Sequence, residues 1–283
     1  MTHTHVTAPT QLLEANGIRF AYRRFGTEKG TPLIFMQHFR GGLDHWDPAV
    51  TDGLAANRPV ILFNNAGVAS SSGETPNTVD AMTRHAADYV AALGLTEVDL
   101  LGFSLGGYVA QSLAVQNPGL VRRLLLVGTG PRGGEPSEDA GVRQHATSTD
   151  PRTGESPLEA FLYLFFSPSQ RSQAAGKAFW ERRHARKSDV DPPSSAQTMT
   201  AQLAALSDWR QVKGERFAEL KRIRQPTLVV NGNNDIMIPT INSFTLSQRI
   251  PNAQLIVYPD SGHGSQFQYP ELFVSHARTF FDA

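Results

Sequence analysis

Gly102-Phe103-Ser104-Leu105-Gly106 sets a serine between two glycines, each two residues away. The segment ends an apolar run, Val98–Phe103, and opens a stretch with helical spacing, so the serine falls on a sharp strand-to-helix turn. Such a turn forces its middle residue into a strained backbone and lifts the side chain above the sheet. The flanking positions must be glycine because the arriving strand and the departing helix nearly touch there. The helix N-terminus and the Leu105 amide then face any negative charge that develops beside the serine oxygen. The chemistry this permits is attack of a hydroxyl on a carbonyl, through a covalent intermediate.

A serine at its ordinary pKa is a poor nucleophile; it needs a base, and the base needs a carboxylate to orient it. Asp235, in Asn231-Gly-Asn-Asn-Asp235, directly follows the run Thr227–Val230, and His263, in Asp260-Ser-Gly-His263-Gly264, follows Leu255–Val257. Ser104, Asp235 and His263 therefore come in the order nucleophile, acid, base, each after a strand. Asp260 is the other candidate acid. It lies three residues from His263, too close to belong to an independent strand end, so Asp235 is expected.

The elements that must position these residues are legible in outline. Leu12–Asn16 and Ile18–Phe25 flank an Asn-Gly pair, the strongest short hairpin signal. Leu33–Gln37, Val60–Phe63, Val98–Phe103, Leu124–Val127 and Thr227–Val230 are almost wholly apolar, as strands buried on both faces of a parallel sheet must be. Val79, Met82, Ala86, Val90 and Leu93 recur at helical spacing, and a second helix is expected from Ser104 to about Asn117. This alternation predicts an α/β fold with right-handed crossovers. It breaks after Gly128: residues 132–213 hold no convincing buried strand, only Gly/Pro/Ser-rich and amphipathic helical stretches. The chain thus reads as a core of residues 1–131 and 214–283, interrupted by a helical cap over 132–213.

These features resemble the α/β-hydrolase family, in its cap-bearing esterase, lactonase and cofactor-free haloperoxidase branch. The likeness spans nearly the whole chain and is most specific at Gln37-His-Phe-Arg-Gly-Gly42, Phe63-Asn-Asn-Ala-Gly67, Gly102–Gly107 and Gly262-His-Gly264. It implies a mostly parallel eight-stranded sheet flanked by helices. It also implies an oxyanion hole made by the Phe39 and Leu105 amides, with His38 as the family's loop histidine. No cofactor and no metal are implied. Asn64 and Ala66 depart from the aspartate and arginine usual at those positions, a change expected to bear on stability more than on Ser104. A serine rather than an aspartate at position 104 argues against the branches that form alkyl-ester intermediates.

The function expected is hydrolysis of a small, fairly hydrophobic carboxylic ester or lactone, with an uncharged substrate suggested by the apolar cap. Phe161, Phe165, Phe166, Trp180, Met199 and Trp209, together with His38, are candidates for the pocket wall; packing of the cap is the equal alternative. The rivals on the same residues are perhydrolysis with haloperoxidase-like activity, carbon–carbon bond hydrolysis, and a non-enzymatic small-molecule receptor.

Composition removes other classes. Lys plus Arg and Asp plus Glu are 26 each, which argues against nucleic-acid and anionic-membrane partners. The absence of cysteine excludes disulfides and a thiol nucleophile. The N-terminal stretch MTHTHVTAP has no secretory-signal pattern, so a cytoplasmic protein is expected, and a homodimer is neither required nor opposed. Gly128-Thr-Gly130-Pro-Arg-Gly133 matches a dinucleotide-binding pattern but meets Gly134 and Pro136 in place of a helix. His45 with Asp44 and Asp47 matches no standard metal spacing, and Asp47-Pro48 reads as a helix start. The run Arg171–Lys187 carries six basic residues against one acidic residue and is expected to be a solvated face.

Overall fold

The computed structural model describes residues 3–283; Met1 and Thr2, which open the stretch read above for a leader, lie outside them. The chain starts with an antiparallel hairpin of β1 (Gln11–Ala15) and β2 (Ile18–Gly26). Its two turn residues, Asn16 and Gly17, have φ of 48° and 77°, the left-handed pair that matches the twist of the strands. Strand β2 pairs antiparallel with β4 (Pro59–Phe63). All remaining pairings are parallel and join β3 (Leu33–Met36), β5 (Val98–Phe103), β6 (Val121–Val127), β7 (Thr227–Gly232) and β8 (Ala253–Tyr258). The eight-stranded sheet runs β1-β2-β4-β3-β5-β6-β7-β8.

Both faces of the sheet are covered, which is why its central strands carry no polar alternation. Successive residues of β3 go to opposite sides. Leu33 and Phe35 join the core under α1 (Pro48–Ala55) and α10 (Pro270–Asp282). Ile34 and Met36 join the core under α2 (Val79–Ala92), α3 (Leu105–Gln116) and α8 (Ile241–Arg249). Helix α1 begins where expected: Asp47 accepts the Ala49 amide at 2.9 Å and Pro48 takes the first helical position. A single turn of helix, α9 (Ser265–Gln268), precedes α10.

Between β6 and β7 the chain leaves the sheet for α4 (Gly141–Thr147), α5 (Leu158–Phe165), α6 (Gln170–Arg183) and α7 (Ala196–Arg210). The Gly128–Gly133 run leads into this excursion and no helix begins before Gly141. Helix α5 is apolar almost all round because it is clasped between α6 and the ends of the strands. Phe161, Leu162, Leu164 and Phe165 share one core with Phe103, Leu125 and Phe179.

The basic run is a solvated face only in part: Arg171, Lys177 and Lys187 are exposed, but the other three basic residues are not. Arg182 pairs with buried Asp47 at 2.6 Å, and Arg183 pairs with Glu155 at 3.0 Å. Arg186 donates to the carbonyls of His5 and Ala8 and lies 3.3 Å from Asp44. The reason is the seam itself. Joining the inserted helices to the sheet buries carboxylates just before α1 and carbonyls of the N-terminal segment, and long basic side chains are what can reach them.

The Asn64 departure has a counterpart in the same seam. Asn64 is fully buried and donates to Asp191 at 2.8 Å. Asp191 also accepts from the Leu43 amide and the Ser70 hydroxyl, at 2.9 and 2.6 Å. The carboxylate that the resemblance places on the strand thus arrives here from the segment between α6 and α7.

Candidate active site

The turn between β5 and α3 has the geometry its glycines require. Ser104 has φ 55° and ψ −120°, a conformation that costs a non-glycine residue on the order of 1–3 kcal/mol. The surrounding backbone holds it there: the Ser104 amide donates to Val127 and its carbonyl accepts from the Thr129 hydroxyl, both at 2.9 Å. A Cβ at Gly102 would sit 2.6 Å from the Gly106 carbonyl, and one at Gly106 would sit 2.0 Å from the Met36 carbonyl. The second clash shows how closely the end of β3 abuts the start of α3. That contact carries the loop after β3 alongside Ser104.

The acid and the base meet. His263, fully buried, has Nδ1 at 2.8 Å from Asp235 Oδ2. The other oxygen of Asp235 accepts the amides of Met237 and Ile238, each at 2.9 Å, which fixes the carboxylate in place. Beside an acceptor-only carboxylate, Nδ1 carries the hydrogen, and the lone pair is left on Nε2. Nε2 is buried and has no protein partner. The ring packs on Phe103 and edge-on to Phe165, with centroids 4.9 and 5.3 Å away. Asp260 is engaged elsewhere, accepting from Ser169 at 2.6 Å, while its carbonyl accepts from Gln268 in α9 (Ser265–Gln268).

Ser104 and His263 face one cavity. Among the described residues no hydrogen bond joins them within 3.5 Å; catalytic hydrogen bonds of this kind often tighten only in the substrate complex. The amides of Phe39 and Leu105 also lack hydrogen-bond partners among the described residues. For Leu105 the cause is its place as the first residue of α3, where an amide has no carbonyl one turn behind it. Phe39 sits in the loop after β3, held by the His38 ring, whose Nδ1 donates to the Phe39 carbonyl at 2.9 Å.

Burial pushes His38 down to about 3 and His5 down to about 4, so both rings stay neutral across the physiological range. Each free imidazole in the unfolded chain titrates near 6.5. Below that pH the unfolded chain binds protons that the fold refuses, so each ring costs the fold stability from about 6.5 down to its folded value. The loss is roughly 1.4 kcal/mol per pH unit and per ring. Urea unfolding of His38→Gln is expected to show a shallower fall in stability between pH 6.5 and 5 than wild type. Parallel pH profiles for the two proteins would refute this.

Two chambers meet at Ser104. A small one of about 40 Å³ is walled by His38, His45, Phe161, Phe165, Arg183 and His263. A larger one of about 360 Å³ is walled by Tyr108, Val142, Leu203, Leu206, Met237 and Ile238. Phe39 borders both.

Of the side chains expected to form the pocket, the structure brings His38, Phe161 and Phe165 to Ser104 and leaves four away from it. Phe166 turns toward α6, where a Cβ at Gly176 would come within 2.8 Å of its ring. Trp180 stands one layer behind the wall, 5.4 Å from the Phe161 ring, 4.6 Å from the His184 ring and beneath the Arg183 guanidinium. Met199 is half-exposed on the first turn of α7. Trp209 stacks on Tyr108 at 5.0 Å and is covered by Arg132 at 4.2 Å, which uses its faces for packing. The α7 wall is made instead by Leu203, Leu206, Ser207 and Arg210. Their spacing of three and four residues was the signal available in the sequence. Met237 and Ile238, next to Asp235 in the loop after β7, were missed because that loop reads only as a turn.

The imagined metal cluster is dispersed among other partners. Asp44 pairs with Arg23 and Arg186, Asp47 with Arg182, and His45 Nδ1 accepts the Gly42 amide. Among the described residues, no helix is long and apolar enough to cross a membrane.

Comparison with known proteins agrees with this architecture. A family profile described as alpha/beta hydrolase fold matches residues 31–270. A pimeloyl-[acyl-carrier protein] methyl ester esterase of Nitrosomonas europaea is 30% identical over 88% of this chain and 95% of its own length. A 2-hydroxymuconate semialdehyde hydrolase of a Pseudomonas strain is 27% identical, covering 92% of this chain and 89% of its own. Among solved structures, an alpha/beta hydrolase fold protein from Chitinophaga pinensis is 41% identical with a TM-score of 0.90, over 99% of this chain and 100% of that one.

Proposed function

The chain belongs to the α/β-hydrolase fold family and is a hydrolase, and from that premise we propose that it cleaves a small carboxylic ester or lactone through an acyl-enzyme on Ser104. In this reading His263 Nε2 takes the Ser104 proton as the hydroxyl oxygen attacks the carbonyl carbon. The Phe39 and Leu105 amides receive the resulting oxyanion; removal of one such donor typically costs about 3–4 kcal/mol of transition-state stabilisation. The protonated imidazole gives its proton to the departing alkoxide. A water then repeats the sequence on the acyl-enzyme, releasing the acid and restoring the serine.

The observation that carries the proposal is the Asp235–His263 bond at 2.8 Å, which leaves an unpartnered imidazole nitrogen on the cavity wall shared with Ser104. The two unpartnered amides support it. On the same reading, residues 132–213 act as a cap over the core of 1–131 and 214–283, and no metal or cofactor takes part. The esterase among the relatives supports the ester reading.

Mixing the protein with a p-nitrophenyl ester should release a burst of nitrophenolate approaching one equivalent per chain, followed by slower turnover. Turnover should need no added metal or peroxide. Halogenation dependent on peroxide with no ester hydrolysis, or cleavage confined to carbon–carbon substrates, would overturn the reading.

A further inference from the structure

The small chamber beside Ser104 is charged, which the apolar look of the inserted helices conceals. Arg183 is 5% exposed and lines this chamber. One of its terminal nitrogens is paired with Glu155 at 3.0 Å, but its Nε is buried and without a partner among the described residues. A buried, unanswered donor on a guanidinium is expensive unless something arrives to accept from it.

A second guanidinium borders the same chamber. Arg40 spends its donors on neutral groups: the carbonyls of Ala146, Ser148 and Gly154, and the hydroxyls of Ser156 and Thr149. Glu155 is the one carboxylate acting on both arginines, and it also lies 3.3 Å from His184 Nε2. Asp44 also acts on Arg183 but is engaged by Arg23 and Arg186, so Glu155 is the carboxylate that the two cations share beside the candidate nucleophile.

The histidines do not correct the imbalance. His45 Nδ1 accepts the Gly42 amide at 2.9 Å, so the hydrogen of the neutral ring is on Nε2. Burial, followed by the charge of Arg183, holds His45 well below the usual histidine range, which keeps it a neutral donor. His38 Nε2 is unpartnered among the described residues, as His263 Nε2 is, and it is an acceptor because its Nδ1 gives its hydrogen to Phe39. The wall thus offers an excess positive charge with donors from Arg183 and His45.

We propose that this chamber is an anion subsite and that the substrate is a half-ester: a carboxylate held by Arg183 with His45, joined through the scissile ester at Ser104 to an apolar group in the large chamber. The proposal rests on the serine-hydrolase reading and refines its substrate from uncharged to mono-anionic. The apolar part expected from the sequence keeps its place among Leu203, Leu206 and Met237. Hydrolysis then consumes water and yields an alcohol and an acid, with the subsite carboxylate unchanged.

The test compares matched esters on the full chain. Benzyl hemisuccinate carries the carboxylate on the acyl side and the phenylacetyl ester of glycolate carries it on the alcohol side; benzyl butanoate and ethyl phenylacetate are the neutral partners. At least one anionic ester should exceed its neutral partner tenfold or more in kcat/KM. That ratio should fall toward one in Arg183→Met, be partly restored in Arg183→Lys, and shrink at high salt. Calorimetry of benzyl hemisuccinate and of phenylacetyl glycolate with Ser104→Ala separates the two claims, because binding there needs no serine chemistry. Binding that persists while ester turnover is unaffected by Ser104→Ala would sink the nucleophile and spare the subsite. Ratios at or below one for both pairs in wild type would overturn the subsite even if Arg183→Met does not fold.

Discussion

Ser104→Ala should abolish burst and steady-state ester hydrolysis, lowering kcat by a factor on the order of 10⁶, the loss a serine triad shows without its nucleophile. Covalent labelling by a fluorophosphonate should vanish with it. The fold should hardly register the change. The Ser104 hydroxyl makes no hydrogen bond among the described residues, and alanine at φ 55° is strained to the same degree as serine, so nothing is lost when the oxygen goes. The unfolding free energy should therefore stay within about 1 kcal/mol, the usual scale for a substitution without a named mechanism of damage. Labelling of the alanine variant at the wild-type rate would place the nucleophile elsewhere.

Asp235→Asn should be nearly as severe, about 10⁴-fold in kcat, whereas Asp260→Asn should cost less than tenfold. The reason lies in how Asp235 is held. Its Oδ1 accepts two amides, from Met237 and Ile238, so the amide oxygen of an asparagine would take that position. The asparagine NH₂ would then face His263 Nδ1, which must become an acceptor and move its hydrogen to Nε2. An imidazole with its hydrogen on Nε2 cannot take the serine proton. Asp260 has no such link; it ties the loop to Ser169 instead. Initial rates on one p-nitrophenyl ester for the two variants decide the matter, and a larger loss in Asp260→Asn would transfer the acid to that residue.

What the sequence disclosed and what it hid divide along a physical line. Gly102 and Gly106 were readable because backbone meets backbone there, and no other residue type fits. The strands were readable because a sheet covered on both faces must be apolar throughout. The hairpin announced itself through Asn16 and Gly17, whose backbone angles few other pairs adopt. Pocket walls obey no such rule. Which face of α6 or α7 turns toward Ser104 depends on how those helices dock. Trp180 and Trp209 therefore looked as eligible as Leu203 and Leu206. Arg183 was obscured for the opposite reason: set among five other basic residues it resembled a wet surface, and only its burial against Glu155, Phe161 and Trp180 reveals the difference.

The inserted helices are not fastened evenly. Along one seam Arg182, Arg186 and Asp191 tie α6 and the segment after it to Asp47, Asp44 and Asn64 by charged links that hold little exposed surface. Along the other seam α4 has no buried residue, yet Val142, Arg143 and Ala146 roof the larger chamber. Lifting α4 breaks none of those links and parts only partly buried Val142 and Ala146 from the core and the Ala146 carbonyl from Arg40. Traffic of reactant and product should therefore pass beneath α4, with the opposite seam serving as a fixed jamb, and crosslinking α4 to α7 should slow release while leaving the bond-breaking step untouched.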